Sequence, residues 1–274
     1  GRARAAAGRR VVAAEHPVAE LGPRDGVARA IARHAASLGA DVTIDLRHLD
    51  PDEVRARFPT VAALCAAHGL DLARDPIPVT PAAHYGVGGA LTDMAGRTTL
   101  PGLYAVGECA ATGAHGANRL ASNGLLEAAV LASAAARALG GPDAKWPMTR
   151  LPNVSSVAPP EPAGDDGRTR RAVQEAMWRG VGVERDALGL DEASRLLAAL
   201  PEGTDPATDN LLMIGRLAAA AAAARTESRG AHFRADFPDP DPAQARRIAW
   251  VGGLPVALPP VPARRDRALA LEAA

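Results

Sequence analysis

The stretch TGAHGANRLASNGLLE, Thr112 to Glu127, sets His115, Asn118 and Arg119 among small residues, just ahead of an alanine-rich run. A guanidinium there needs a counter-charge, because a lone buried charge is costly. No acidic residue stands between His115 and Arg119. The loop is therefore exposed, or its partner comes from elsewhere: a distant carboxylate or a ligand. Arg24, in ELGPRDGVARAI, follows Pro23 at a helix start. A cation there opposes the helix dipole, and Asp25 is placed to compensate. A locally unfavourable residue is a pointer to function. His84, in PAAHYGVGG, lies between a small-residue strand and a glycine turn; a lone histidine there is more often structural. Guanidinium forks pair bidentately with carboxylates. Arg24, His84, His115 and Arg119 are accordingly expected to converge on one small dicarboxylate.

A second set of residues suits a cofactor. GLYAVGE, Gly102 to Glu108, reads as a short apolar strand ending in Gly-Glu. That arrangement brings a carboxylate to a strand end, where it can accept from a ribose or ribityl hydroxyl. The bland alternative is a strand followed by an exposed Glu. Ser122, Asn123 and Gly124 are all acceptable helix N-cap residues, with Leu125 and Glu127 in the first turn. Such an end offers free N–H groups and a positive dipole. In a flavoenzyme it would suit the pyrimidine edge of the flavin; otherwise it is an ordinary capped helix.

The elements that must carry these residues follow from periodicity. Val27, Ile31, Ala35 and Leu38 recur at helical spacing and stop at Gly39. Val42, Ile44 and Leu46 alternate as in a strand. Asp50 and Pro51 open a helix that breaks at Pro59, resumes and ends at Gly69. Residues 77–106 alternate between Gly-Gly, Ala-Gly and Pro-Gly turns and predict a strand-rich section. A long helix is predicted from Gly124 to Leu139, and three more over Arg168–Val181, Leu190–Leu200 and Asp209–Arg225. With no strand between the last three, they read as a small helical domain. Residues 143–167 are dense in Pro, Gly and Ser and read as a linker, and the Pro-rich, then basic end as a frayed tail.

Bulk composition removes several classes. The chain has 274 residues, 47% hydrophobic and 23% charged, which supports a packed core. Lys plus Arg and Asp plus Glu are both 31, which argues against a generic nucleic-acid or anionic-membrane binder but leaves room for a local basic pocket. Cys65 and Cys109 cannot build a zinc site or a disulfide framework, so no metal is expected, and a reducing, cytoplasmic setting fits. No apolar run approaches the roughly 20 residues that span a bilayer. The start, GRARAAAGRR, has no initiator Met and no secretory apolar region, and is expected to lie within a longer protein rather than to be a targeting segment.

Three stretches together carry a resemblance: ELGPRDGVARAI, the block from Ile77 to Glu127 with its TGAHGANRLASN, and RTESRGAHFRADFP. The sequence resembles the carboxyl-terminal half of the L-aspartate oxidase family, within the succinate dehydrogenase/fumarate reductase flavoproteins. The resemblance runs from about Glu15 to about Pro238, and Pro23 before Arg24-Asp25 and Glu127 after the leucines place it on the aspartate oxidase side. It implies FAD, and oxidation of L-aspartate to iminosuccinate at the start of NAD synthesis, with oxygen or fumarate as acceptor and quinolinate synthase taking the product. It implies Arg24 as proton donor/acceptor, and His84 and Arg119 as holders of substrate carboxylates. Glu108, Gly124 and Leu125 would contact FAD. Arginine's pKa lies above about 12, so the residue type alone makes Arg24 an electrostatic clamp.

Two departures matter: Gly124 stands where the family has Ser, and no GxGxxG follows an early strand. The expected architecture is an α+β and α/β multi-domain fragment. Residues 1–85 would belong to a substrate-capping domain, 86–142 to the carboxyl-terminal part of a Rossmann-like FAD-binding domain, and 168–250 to a helical bundle, with 251–274 the tail. Alternatives are a fumarate reductase or succinate dehydrogenase flavoprotein subunit, and a non-catalytic remnant.

Overall fold

The computed structural model describes residues 2–4, 10–13, 19–39, 41–140, 167–203 and 205–258. Residues 143–166 of the expected linker at 143–167, and 259–274 of the expected tail, lie outside the described residues. The chain divides into two compact units between His84 and Tyr85. Both mix helix and strand.

In the first unit a three-stranded antiparallel sheet, β1 (Arg2–Arg4), β2 (Val42–Asp45) and β3 (Ile77–Val79), has β2 in the middle. Ala3 pairs with Ile44 and Thr43 with Pro78. Helix α1 (Arg24–Leu38) packs its Val27, Ile31 and Ala35 face with buried Ala30 against Val11, Val12 and Val42. Gly39, in the left-handed region at φ 57°, ends it, with its N–H on the Ala35 carbonyl. Asp50 caps α2 (Pro51–Arg57) by accepting from the Asp52 and Glu53 amides at 3.0 and 2.9 Å. Pro59 cannot donate, so α2 stops at Phe58 and α3 (Pro59–Ala67) begins. A second apolar cluster, Leu46, Val54, Cys65 and Leu72, lies under this helix pair. Residues 2–4, read from sequence as part of an odd basic start, form an edge strand, and Arg4 Nε lies 3.0 Å from buried Asp45.

In the second unit, β4 (Ala90–Leu91) pairs in parallel with β5 (Ala110–Ala111). The strand-rich section expected over 77–106 is mostly turns: beyond Val79 only β4 and the bridges Thr92 to Thr98 and Arg97 to Tyr104 form. Gly88, Gly89, Gly96 and Gly102 all have positive φ, and so many reversals leave no run long enough for a ladder. Helix α4 (Gly124–Gly140) buries Gly124, Leu131 and Ala135 and leaves Leu125, Leu126 and Val130 exposed.

Helices α5 (Arg168–Gly180), α6 (Ala187–Ala199) and α7 (Pro206–Ala224) pack as a bundle around Val173, Leu190, Leu197 and Leu212, each at most 1% exposed. Each such side chain contributes about 1.5–3 kcal/mol over its exposed state. Asp186 and Asp205 cap α6 and α7. The carboxyl end of α7 is gripped by a buried arginine. Arg234 Nη1 donates to the Ala222 and Arg225 carbonyls, both at 3.1 Å, while Nε and Nη2 pair with Asp236. A hairpin, β6 (Ile248–Val251) and β7 (Leu254–Ala257), turns at Gly252-Gly253 within what the sequence reading assigned to the end of the helical domain and the tail. Its signal was present, two glycines between apolar runs.

Candidate functional site

The second unit assembles a site from the strand end at Glu108, the loop 112–123 and the first turn of α4. Val106 is extended, then Gly107 turns the chain at φ 74°. A Cβ on Gly107 would stand 3.3 Å from the Ala128 methyl, so α4 presses directly on this turn. Glu108 is exposed, and its Oε1 accepts from the Gly86 amide at 2.7 Å. The same turn brings Gly89 against Cys109, whose carbonyl would lie 2.2 Å from a Cβ there. The glycine turn expected after His84 is thus fixed to the strand end that carries Glu108.

His115 is 9% exposed. Its Nε2 lies 2.8 Å from Glu127 Oε2, and the Thr112 hydroxyl donates to Glu127 Oε1. The ring of Tyr85 meets His115 edge to face, centroids 5.3 Å apart, and carries the Arg119 guanidinium 4.8 Å from its centroid. Glu127, Thr112, His115, Tyr85 and Arg119 therefore form one stack. Desolvation, then the negative charge of Glu127, raise the Tyr85 hydroxyl above its ordinary pKa, so it stays a neutral face for the cation.

The carboxylate nearest this loop is thereby located, and it faces the histidine rather than Arg119. His115, expected among the substrate ligands, is buried with its Nε2 against the Glu127 carboxylate in the first turn of α4. Glu127, read as a capping residue, and Tyr85, passed over beside His84, are the residues sequence reasoning missed. A single acid following a loop with His and Arg was the available signal. Arg119 has no carboxylate within ion-pair distance among the described residues, and its Nε is buried without a hydrogen-bond partner. Gly124 makes room for it: a Cβ there would lie 3.1 Å from Tyr85 Cε2 and 3.2 Å from Arg119 Nη2, tighter than ordinary contact.

Helix α4 opens with the amides of Gly124, Leu125 and Leu126 ahead of its first helical bond, Glu127 N–H to the Asn123 carbonyl at 2.9 Å. Asn123 spends its side-chain amide on the Ala121 carbonyl at 2.9 Å. Ser122, at φ 62°, is the one non-glycine residue of positive φ among the described residues. Such a conformation costs of order 1–3 kcal/mol and persists where surroundings impose it. Free amides at a helix start and an exposed carboxylate with one oxygen uncommitted can hold the ring and ribityl portions of a flavin. Among the described residues no group of three or more His, Cys, Asp or Glu is placed to hold a metal ion, and no helix is long and apolar enough to cross a membrane.

Arg24 and His84 belong to the first unit. Arg24 is exposed at the first residue of α1, and its Nη2 donates to the carbonyls of Glu20 at 2.7 Å and Gly22 at 2.6 Å. These carbonyls offset the unfavourable dipole. Asp25, expected to compensate Arg24, pairs with Arg29 at 3.0 Å. His84 is exposed, in a segment without regular structure.

Residues 1–125 match the FAD binding domain family, and residues 206–253 match the fumarate reductase flavoprotein C-terminal family. FrdA of Escherichia coli quinol fumarate reductase superposes with a TM-score of 0.72 at 28% identity, over 96% of this chain and 56% of that one. Mycobacterium smegmatis Sdh1 gives 0.69 at 28% identity, over 99% and 52%. Fold and site define an FAD-binding flavoprotein of the fumarate reductase class. The L-aspartate oxidase of Rhodospirillum rubrum is 45% identical over 262 residues, 94% of this chain and 93% of that protein. That of Streptomyces coelicolor is 43% identical over 88% of this chain and 45% of its own length. The chain belongs to the L-aspartate oxidase family, and spans about half the length of several relatives it matches.

Proposed function

We propose that the chain is the carboxyl-terminal part of an enzyme that oxidises L-aspartate to iminosuccinate, supplying the first step of NAD synthesis by way of quinolinate. The observation that carries this is Arg119: a half-buried guanidinium stacked on Tyr85, with a buried Nε lacking a partner and, among the described residues, no carboxylate within ion-pair distance. A substrate carboxylate is the partner such a fork accepts. Arg119 and His84 hold the two carboxylates; Arg24 stabilises developing charge and relays a proton through its neighbours. FAD, when bound, supplies the two-electron acceptor, and Glu108, Ser122, Asn123, Gly124 and Leu125 hold its ribityl and ring portions. Oxygen or fumarate reoxidises it.

In this reading residues 1–85 belong to a capping domain, 86–142 to the FAD domain and 168–250 to a helical domain. The enzyme works in the cytoplasm and passes its unstable product to quinolinate synthase. The structural likeness to FrdA and Sdh1 supports a second reading, a fumarate reductase or succinate dehydrogenase flavoprotein.

The test is anaerobic. Bleaching of the bound flavin by L-aspartate and not by succinate supports the first reading, bleaching by succinate alone the second, and a protein that binds no flavin overturns both. Arg119→Leu should raise KM for aspartate sharply with flavin retained, whereas Arg24→Leu should lower kcat with KM changed less. The reverse pattern would exchange the two roles.

A further inference from the structure

Arg119 has few restraints of its own. Its guanidinium lies over Tyr85 and beside Gly124, so its pose is set by the backbone it leaves. That backbone is held from the carboxyl-terminal segment at two points. The Ala231 amide donates to the Ala117 carbonyl at 3.0 Å. Gly230, at φ 60°, lies so close that a Cβ there would stand 2.3 Å from the same carbonyl oxygen. At the loop's start, Arg247 Nη1 donates to the Ala111 carbonyl at 3.3 Å and sits 3.0 Å from where a Cβ on Gly113 would be.

The holding segment is itself rigid. Glu227 is fully buried, and its carboxylate accepts from Arg225 at 2.6 Å, from Arg229 at 2.9 Å and from the Asp241 amide at 2.7 Å. The Ser228 hydroxyl donates to the Phe237 carbonyl at 2.8 Å, and the Arg229 amide to the His232 carbonyl at 2.8 Å. Gly230 thus sits at the tip of a turn tied on both sides, against Ala117, which stands two residues before Arg119.

We infer that Gly230, Ala231 and Arg247 are positioning residues for the carboxylate clamp, setting Arg119 from the far end of the chain. This rests on the reading of Arg119 as a clamp. It gives the segment matched by the flavoprotein C-terminal family, residues 206–253, a part in substrate binding rather than packing alone.

Gly230→Ala tests it, with Gly252→Ala as control. Gly252 has nearly the same φ, 57°, but nothing within 4 Å of a Cβ, so it carries the backbone strain without the collision. Misplacing a binding group by an ångström costs up to about 10²-fold. In the FAD-loaded protein Gly230→Ala is expected to raise KM for aspartate, and the calorimetric Kd for succinate, at least tenfold. Flavin content should stay unchanged and kcat within about threefold. Gly252→Ala should leave both constants near wild type. Arg247→Met, which removes a donor and inserts nothing, should raise both in the same direction by a smaller factor. A folded Gly230→Ala with unchanged Kd and KM overturns the inference; if that variant fails to fold, an unchanged Arg247→Met overturns it instead. Wild-type protein that binds no dicarboxylate sinks the clamp reading itself, whereas normal wild-type binding with insensitive variants sinks only the positioning role.

Discussion

Replacing Glu127 separates charge from hydrogen bonding in the stack beneath Arg119. The carboxylate serves His115 Nε2 with one oxygen and the Thr112 hydroxyl with the other, and the His115 and Glu127 side chains are 6% and 9% exposed. Glu127→Leu keeps the volume roughly and leaves two polar groups without the carboxylate, buried His115 and part-buried Thr112. Each costs about 1–3 kcal/mol, so the variant should lose about 2–6 kcal/mol. At about 2–4 °C per kcal/mol for a protein of this size, that is a fall in Tm of roughly 5–20 °C. Glu127→Gln can still accept from Thr112 and donate to a neutral His115, so it should lose less than half as much. Thermal unfolding of wild type and both variants, followed by circular dichroism, reads the difference directly. Succinate titration of the same samples should show weaker binding for the leucine variant, because Tyr85 loses the support behind the face that carries Arg119. Equal Tm values for Glu127→Leu and wild type would refute the reasoning. So would a glutamine variant as damaged as the leucine one, which would put the whole effect on charge.

Two further outcomes follow from the carboxyl-terminal segment. Glu227→Ala leaves Arg225 and Arg229 facing a buried void, and breaking such a pair should cost about 3–5 kcal/mol in a urea titration. The Arg229 fork holds the Glu227 carboxyl down to about 2; its contribution is therefore present above the ordinary carboxylate range and fades only as pH falls toward 2. His232 is pushed down to about 4, first by burial and then by Arg185, whose Nη1 lies 3.3 Å from its Nδ1. Its folded value lies below its unfolded one, so stability should rise with pH between about 4 and 6.5 and be lost as pH falls through that window. His232→Gln should flatten this limb of the urea-midpoint against pH profile; an unaltered slope would show that another group sets it.

The helices were legible because their signals are local. Gly39 and the Asp50-Pro51 pair are read within one turn of where they act, and Pro59 breaks its helix wherever it falls. Residues 77–106 alternate in residue type, but their positive-φ glycines leave no run between them long enough to reach a partner strand. The hairpin at 248–257 has its Gly-Gly turn signal masked by Pro255, which an edge strand tolerates. In the site, the composition of the loop pointed to Arg119, and Gly124 was noticed as a departure. Glu127 was not seen for what it does, since its partner lies twelve residues back and only the path of loop 112–123 closes that distance. No feature of the sequence near Arg119 announces Gly230 or Arg247, more than a hundred residues later.

The alanine run that closes α7 looks like filler, and in a gene such runs readily gain or lose a codon. The grip of Arg234 on the Ala222, Ala223 and Arg225 carbonyls makes its length matter. One added alanine would advance the helix end by ~1.5 Å and swing it by ~100°. The three carbonyls would then face away from the guanidinium, and the turn bearing Gly230 would leave with them. The tract is a measured spacer, tolerant of which small residue fills it and intolerant of how many.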